Sequence, residues 1–177
     1  VYRNCKMEKT RGKVLSRVLS ALLIVLALLT VCKIFFIDIY TVVGDSMSPT
    51  YEDGQRVFAR KVGGAGRFDA VIIRAENYRG GGVLPEDADR LFKRVVAGAG
   101  DVVWSENGVL CLEYDGETHI LTDENYGGGD IDRMSVQVER TVVPDGYVYV
   151  LGDNRNNSAD SRIIGLVAVE DIEAGVL

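Results

Sequence analysis

The 177-residue sequence is poor in the residues that most catalytic and metal sites require. It contains one histidine, His119, so a Ser-His-Asp triad has a single candidate base and a zinc site lacks its usual second imidazole. Because His119 lies in a polar stretch with no other ligand-like pattern, we interpret it as a surface residue. No glycine-rich loop is followed by Lys-Ser or Lys-Thr, the signature of a phosphate-binding loop. We therefore predict no cofactor and no metal.

Cysteine and proline are scarce too, with three residues of each. Cys5 precedes a long apolar run and Cys32 lies within it, so Cys111 is the single cysteine in the rest of the chain. A single cysteine cannot form a disulfide within its own domain. The folded part must therefore be stabilised by its hydrophobic core, for which its 140 residues suffice.

Charge is distributed unevenly along the chain. Residues 1–37 carry seven Lys or Arg and one acidic residue, a net charge of +6. The remaining 140 residues carry 13 basic and 25 acidic residues, a net charge of −12. Nucleic-acid binding needs Lys and Arg to neutralise phosphates, so this acidic part argues against nucleic acid as a partner.

The long apolar run covers residues 14–37 and explains the basic residues before it. A helix of these 24 residues is about 36 Å long, enough to cross a hydrocarbon core of about 30 Å. The positive-inside rule predicts a cytoplasmic tail over residues 1–13 and an extracytoplasmic domain over residues 38–177. A cleaved secretory signal and a lipoprotein cysteine are the alternatives. Because residues 33–37 are bulky rather than small, we favour an uncleaved single-pass anchor in the cell membrane.

Short runs rich in valine, isoleucine and aromatic residues follow residue 37, with glycine clusters between them. They do not alternate with helical segments, which favours antiparallel sheets over a parallel α/β fold. We predict a mainly β fold, in which a two-lobed antiparallel β-sheet domain follows one N-terminal transmembrane helix. The acidic, loop-rich residues from about 104 to 136 are predicted to form a smaller inserted lobe. The predicted strands are residues 55–61, 70–74, 91–97, 101–104, 109–114, 135–143, 147–151 and 163–169.

A serine nucleophile with a lysine base is the chemistry that remains. Lysine acts as a base only where burial lowers its pKa towards the working pH, and Lys93 lies within the apolar run 91–96. Ser46 lies between Gly44 and Pro49, in a segment suited to a sharp turn that exposes a hydroxyl beside a backbone N–H. Taken singly, each residue also fits a structural interpretation, as an edge lysine or a loop serine.

Three motifs follow the apolar run in a fixed order: GDSMSPT at 44–50, FKRVVAGAGD at 92–101 and GDNRNNSADSR at 152–162. In this arrangement the chain resembles the type I signal peptidases of bacteria, in the short form of Gram-positive cells. The third motif is the most specific, with eleven consecutive positions similar to the family's motif. The resemblance implies a Ser/Lys dyad that cleaves exported preproteins through an acyl-enzyme. It also implies cleavage after a small residue, with another small residue two positions earlier.

The resemblance implies roles for the reacting residues. Ser46 is similar to the family's nucleophile and Lys93 to its general base. Ser158 is similar to the serine that hydrogen-bonds and orients the lysine. Gly44 stands where many longer, Gram-negative relatives have a serine that donates its hydroxyl to the oxyanion. With no side chain at Gly44, the backbone N–H of Ser46 must act there with water or a second backbone donor.

Four charged residues of the motifs have supporting roles by the same resemblance. Asp160 and Arg162 match the pair that shapes the rim of the site, and Asp153 and Arg94 match structural positions. We expect all four to hold turns with charged hydrogen bonds without performing chemistry.

Two stretches depart from the family's pattern, and both concern turns. Residues 53–54 are Asp-Gly, where the family usually has Gly-Asp. Residues 97–101 are AGAGD, where Gly-Leu-Pro-Gly-Asp is common. These departures bear on turn geometry more than on activity.

The expected partners are preprotein signal peptides and membrane lipid. Ser46 lies nine positions after Ile37, a reach of at most roughly 30 Å, so Ser46 is expected close to the outer membrane surface. Met47 is expected among the apolar residues that contact lipid. Two alternatives to a signal peptidase stay open: another Ser/Lys peptidase of related β fold, and a non-catalytic anchored β domain that binds a surface partner.

Overall fold

The computed structural model describes residues 2–61, 63–75, 89–121 and 137–177. The chain forms two compact units, Val1–Asp38 and Ile39–Leu177. Helix α1, Tyr2–Phe35, makes up most of the first unit, and its segment Lys13–Phe35 is long and apolar enough to cross a membrane.

Eleven strands in the described residues form two antiparallel sheets. The larger sheet has seven strands, in the order β1-β2-β11-β3-β4-β9-β10, and the smaller has four, in the order β7-β6-β5-β8. The predicted mainly β, antiparallel fold with an N-terminal apolar helix is therefore confirmed. The strands are β1 (Ile37–Thr41), β2 (Arg56–Arg60), β3 (Ala70–Arg74), β4 (Arg90–Ala97), β5 (Val102–Glu106), β6 (Val109–Tyr114), β7 (Glu117–Leu121), β8 (Thr141–Val142), β9 (Tyr147–Leu151), β10 (Val167–Ala168) and β11 (Ile172–Val176).

The larger sheet is covered by apolar side chains on both faces. Successive residues of a strand face opposite sides, and the first four residues of β3 are all buried. Ile72 pairs with Phe92 on β4, and both belong to the core of one face. Ile73 pairs with Leu91, and both belong to the core of the other face. The sheet is thus packed on both faces, and the loops at its ends are positioned by this core.

The smaller sheet is built around two tight hairpins. Asn107-Gly108 joins β5 to β6 and Asp115-Gly116 joins β6 to β7, and all four residues have positive φ angles. Asn-Gly and Asp-Gly are the favoured sequences for such two-residue hairpin turns. The predicted lobe over residues 104–136 overlaps this sheet, but residues 122–136 lie outside the described part of the chain.

Two predicted strands differ from the structure. Of the described residues in 135–143, only Thr141–Val142 form a strand. The predicted strand 163–169 begins in a short helix, α2 (Ser161–Ile164), because the Asp160 side chain accepts a hydrogen bond from the Arg162 backbone N–H and caps that helix. Strands β1, β7 and β11 were absent from the prediction.

Candidate active site

The turn that carries Ser46 follows β1 and is closed by hydrogen bonds from backbone N–H groups to a side chain and to a carbonyl. Gly44 has a φ of +82°, where an L side chain is strained, and its N–H donates to Asp53 Oδ1 at 2.8 Å. The Gly54 N–H donates to the Val42 carbonyl at 2.9 Å. The order of Asp53 and Gly54 is inverted relative to the family's pattern, and both residues still form hydrogen bonds that stabilise the turn.

Met47 follows Ser46 in the chain, but its side chain is not at the surface as we predicted. Its side chain is fully buried, in the core of one face of the larger sheet. The expectation that Met47 contacts lipid is therefore wrong, because the turn directs this side chain inward. Val43, three residues before Ser46, is 83% exposed instead.

Lys93 reaches the serine from β4. Its Nζ lies 2.8 Å from Ser46 Oγ and donates to the Phe92 carbonyl at 2.9 Å. Lys93 is only 3% exposed, and this burial lowers the pKa of Lys93 from its ordinary 10.5 to about 8, although Asp160 and Asp153 nearby act to raise it. A sizeable fraction of the amine is therefore neutral near pH 8, as a general base requires.

Four charged residues form two bidentate ion pairs beside the lysine. Arg94 donates through Nε and Nη2 to the two carboxylate oxygens of Asp153, at 2.7 and 2.6 Å. Arg162 donates in the same manner to Asp160, at 2.7 Å for both bonds, and the Gly152 N–H also donates to Asp160. Both carboxylates are fully buried, so the pairs compensate charges that would otherwise be costly inside the protein.

Gly152 is held against the nucleophile turn. A Cβ on this residue would overlap Ser158 Oγ and the Ser46 carbonyl oxygen, so only glycine fits there. Ser158 Oγ is buried and makes no hydrogen bond to any residue that the structure describes. The hydrogen bond from Ser158 to Lys93 that the resemblance implied is thus not formed in this structure, in which the hydroxyl lies against the backbone of Gly152.

Asn154 was missed in the sequence. Its backbone N–H donates to the Ser46 carbonyl at 3.0 Å, and its side-chain Nδ2 donates to the Asp45 carbonyl at 3.1 Å. Its place in the third motif is a sequence signal that it matters. Nothing in the sequence connects it to Asp45, 109 positions away.

The lysine motif ends in a turn without proline. The Gly98 N–H donates to Asp101 Oδ2 at 2.7 Å, and Gly100 has a φ of +86°. Arg67 donates to both carboxylate oxygens of Asp101, at 2.7 and 2.8 Å. Charged hydrogen bonds and a glycine in a left-handed conformation therefore form the turn that proline usually supports in the family.

A groove of about 670 Å³ opens at Ser46 and Lys93. One wall includes residues 39–43 and the other residues 89–93. Strand β4 pairs with β3 along one edge, and along its other edge it pairs with β9 only from Arg94 onward. The segment Arg90–Lys93 therefore has no strand partner on that second edge among the described residues. A free strand edge along an apolar groove suits a peptide in extended conformation. In the described ranges, no three His, Cys, Asp or Glu side chains are grouped so as to hold a metal.

Comparisons with known proteins agree on one family. Residues 15–177 match the family model described as signal peptidase, peptidase S26. Signal peptidase IB of Staphylococcus aureus is 31% identical over 152 residues, which are 78% of this chain and 74% of that protein. Thylakoidal processing peptidase 1, chloroplastic, of Arabidopsis thaliana is 37% identical over 135 residues, which are 72% of this chain.

The coverage of these relatives differs. The match spans only 37% of the length of the Arabidopsis protein. A crystal structure of a signal peptidase I from Enterococcus faecalis V583 matches with 25% identity and a TM-score of 0.43, over 66% of this chain and 98% of that one. The resemblance seen in the three motifs is confirmed by the family model, which extends over nearly all of the sequence. The chain belongs to the signal peptidase family, peptidase S26.

Proposed function

We propose that this protein is a membrane-anchored serine endopeptidase that removes signal peptides from exported preproteins, with Ser46 as nucleophile and Lys93 as general base. The observation that carries the assignment is the 2.8 Å separation of Lys93 Nζ and Ser46 Oγ at the end of a groove. Burial of a lysine amine is costly, and groups whose pKa is strongly shifted by burial are concentrated at functional sites, which supports a catalytic role for Lys93.

The reaction proceeds through an acyl-enzyme. Neutral Lys93 takes the proton from Ser46 Oγ as this oxygen attacks the scissile carbonyl carbon. The lysine then gives the proton to the leaving amine, and the C–N bond breaks. Water next attacks the ester, Lys93 takes a proton from it, and the proton returns to Ser46 Oγ as the carboxylic acid departs.

The oxyanion forms on the side of the turn where the Ser46 backbone N–H is available. Among the described residues this N–H donates to no acceptor. Gly44 offers no hydroxyl, so the Ser46 N–H acts with water or with a second backbone donor to stabilise the negative charge.

The supporting residues act on the lysine and on the turn. Asp160, paired with Arg162, acts to raise the pKa of Lys93 and so limits the lowering caused by burial. The Arg94–Asp153 pair ties β4 to the third motif. Ser158 packs its buried hydroxyl beside the Ser46 backbone and is assigned a supporting role there.

The substrate lies along the groove as an extended strand beside Arg90–Lys93. We assign the protein to the cell membrane as a single-pass protein, with residues 1–13 cytoplasmic and residues 38–177 extracytoplasmic. The high net positive charge before the apolar helix supports this orientation. The exposed Val43 supports contact of this domain with membrane lipid.

The test uses the full chain purified in detergent with a panel of preproteins, and the new N-termini are determined by mass spectrometry. We expect single cuts after a small residue that has another small residue two positions before it, and no cuts by Ser46→Ala. Cleavage at internal sites of folded proteins without signal peptides would favour another type of Ser/Lys peptidase. Binding of preproteins without any cleavage would favour the non-catalytic alternative.

A further inference from the structure

Asn154 donates hydrogen bonds to two consecutive carbonyl groups of the turn that carries Ser46. Its side-chain Nδ2 donates to the Asp45 carbonyl at 3.1 Å, and its backbone N–H donates to the Ser46 carbonyl at 3.0 Å. The Asp45 carbonyl also accepts from the Ser48 N–H at 3.1 Å, so the asparagine occupies its second lone pair. The peptide unit just before the nucleophile is therefore held by the third motif.

The orientation of this peptide unit decides where the Ser46 N–H points. The Asp45 carbonyl and the Ser46 N–H belong to one planar trans peptide, in which they point in opposite directions. A donor that fixes the carbonyl on one side therefore fixes the N–H on the other. That N–H has no acceptor among the described residues, whereas Ser46 Oγ next to it contacts Lys93.

Gly44 stands one residue before this peptide and allows the turn that carries the peptide to change shape. Gly44 has open space around it, with no atom within 4 Å of the point where a Cβ would stand, and glycine permits rotations that other residues exclude. Without an external donor, the Asp45–Ser46 peptide has more freedom to turn its N–H away from the reacting carbonyl.

We propose that Asn154 is a positioning residue for the oxyanion site. Its side-chain amide holds the Asp45–Ser46 peptide so that the Ser46 N–H points at the oxygen on which negative charge develops. The inference rests on the proposed peptidase function and adds to it a role for a residue outside the Ser/Lys dyad.

The test compares Asn154→Ala and the isosteric Asn154→Asp with wild type, as full chains in detergent. Both variants lose the Nδ2 donor and keep the backbone bond to Ser46. The control is Asn156→Ala, which removes an exposed side chain of the same motif. Loss of one oxyanion donor costs about 10²–10³ in rate, so a misdirected donor is expected to lower kcat by about tenfold in both variants. KM and the pH of the rising limb should stay unchanged, because groove and dyad are intact.

A second measurement separates positioning from general damage. A peptide aldehyde forms an adduct with Ser46 whose oxygen carries negative charge, whereas the same peptide as an amide forms none. We expect affinity for the aldehyde to fall by about tenfold in both Asn154 variants and affinity for the amide to stay the same. The Asn156→Ala variant should equal wild type in both.

Unchanged kcat and aldehyde affinity in either folded Asn154 variant would overturn the inference. An equal loss of affinity for aldehyde and amide would overturn it as well, because the groove would then be at fault. If the wild-type protein cleaves preproteins and these losses are absent, only the role of Asn154 fails. If the wild type cleaves nothing, the proposed function itself fails.

Discussion

The two sheets differ in how deeply their charged side chains are buried. At one end of the larger sheet, Lys93, Asp153 and Asp160 are each at most 3% exposed. The interior of the smaller sheet is apolar, and one of its ion pairs, Arg140–Glu113, is 56% and 39% exposed. Burying charge is costly, and a protein that needs only a stable core avoids it. The buried charges mark the polar end of the larger sheet as the proposed place of the chemistry, whereas the apolar core of the smaller sheet is expected to contribute stability.

Removing either member of the dyad should have the largest effect on activity. We expect Ser46→Ala and Lys93→Met each to lower kcat/KM by about 10⁴-fold or more, with the double variant no worse than either single one. Preprotein cleavage measures the effect, and thermal unfolding checks that the fold is kept. Near-normal turnover by Lys93→Met would show that the buried lysine has no catalytic use and that burial of charge in the larger sheet does not mark the active site.

Adding one methyl group at Gly152 should have the next largest effect. The new Cβ would overlap Ser158 Oγ and the Ser46 carbonyl, so we expect Gly152→Ala to lower kcat by about 10²-fold as the dyad is displaced. The matched control is Gly98→Ala, where the nearest atom to a Cβ is 3.9 Å away and φ is not positive. Equal kcat values for the two variants would contradict the close contact.

The pH dependence should report the buried amine. Since Lys93 must be neutral and its pKa is lowered to about 8, kcat/KM should rise about tenfold per pH unit below pH 8 and level off above it. A rising limb centred near pH 10 would show that the lysine is not desolvated before substrate binds.

The same pKa shift affects stability. In the unfolded chain the lysine titrates near 10.5, so between pH 8 and 10.5 the unfolded state binds more protons and stability rises with pH. Below pH 8 both states are protonated, and the contribution of Lys93 no longer changes. Urea unfolding across this range should show the rise in wild type and lack it in Lys93→Met.

A side chain at Gly44 should have a smaller effect. Its φ of +82° strains any L residue by about 1 kcal/mol or more, although space around it is open. We therefore expect Gly44→Ser and Gly44→Ala to lower kcat severalfold and to unfold at lower temperature. A higher kcat for the serine variant alone would instead mean that the oxyanion site lacks a donor and that the turn tolerates a side chain.

Truncating the core of the smaller sheet should affect activity least. Leu112 is fully buried there, so Leu112→Ala should reduce the free energy of unfolding by about 2–5 kcal/mol. At a temperature where the variant stays folded, its kcat should equal that of wild type. A large loss of kcat in the folded variant would mean that the smaller sheet takes part in catalysis.

The sequence predicts those parts of the fold that depend on local patterns. Strands β3, β6 and β9 have the predicted bounds, because each is an apolar run between turn residues. Strand β7 was missed although the Asp115-Gly116 hairpin signal precedes it, because its polar residues Thr118 and His119 suggested a turn. Strands β1 and β11 have no comparable signal, since distant partners stabilise them.

In the candidate site too, the features that depend on local sequence were predicted and the contacts between distant segments were not. Ser46 and Lys93 were predicted because a lysine base needs an apolar strand and a serine nucleophile needs a turn. The motifs predicted charged hydrogen bonds involving Arg94, Asp153, Asp160 and Arg162, and the structure shows that these residues form two bidentate ion pairs. The contact of Asn154 with Asp45 and the packing of Ser158 on Gly152 were not, because both arise only when segments distant in sequence meet.

The position of β11 has a consequence for the protein during its synthesis. This strand is the last in chain order, yet it lies between β2 and β3, which come early. The core of the face under the groove contains Ala174 from this strand together with Val57 and Ile72. The sheet that supports Ser46 and Lys93 is therefore incomplete until residues 172–176 have been made. We therefore expect a ribosome-bound chain that lacks these residues to carry Ser46 and Lys93 without protease activity, so that exported proteins are cleaved only after this last strand has been added.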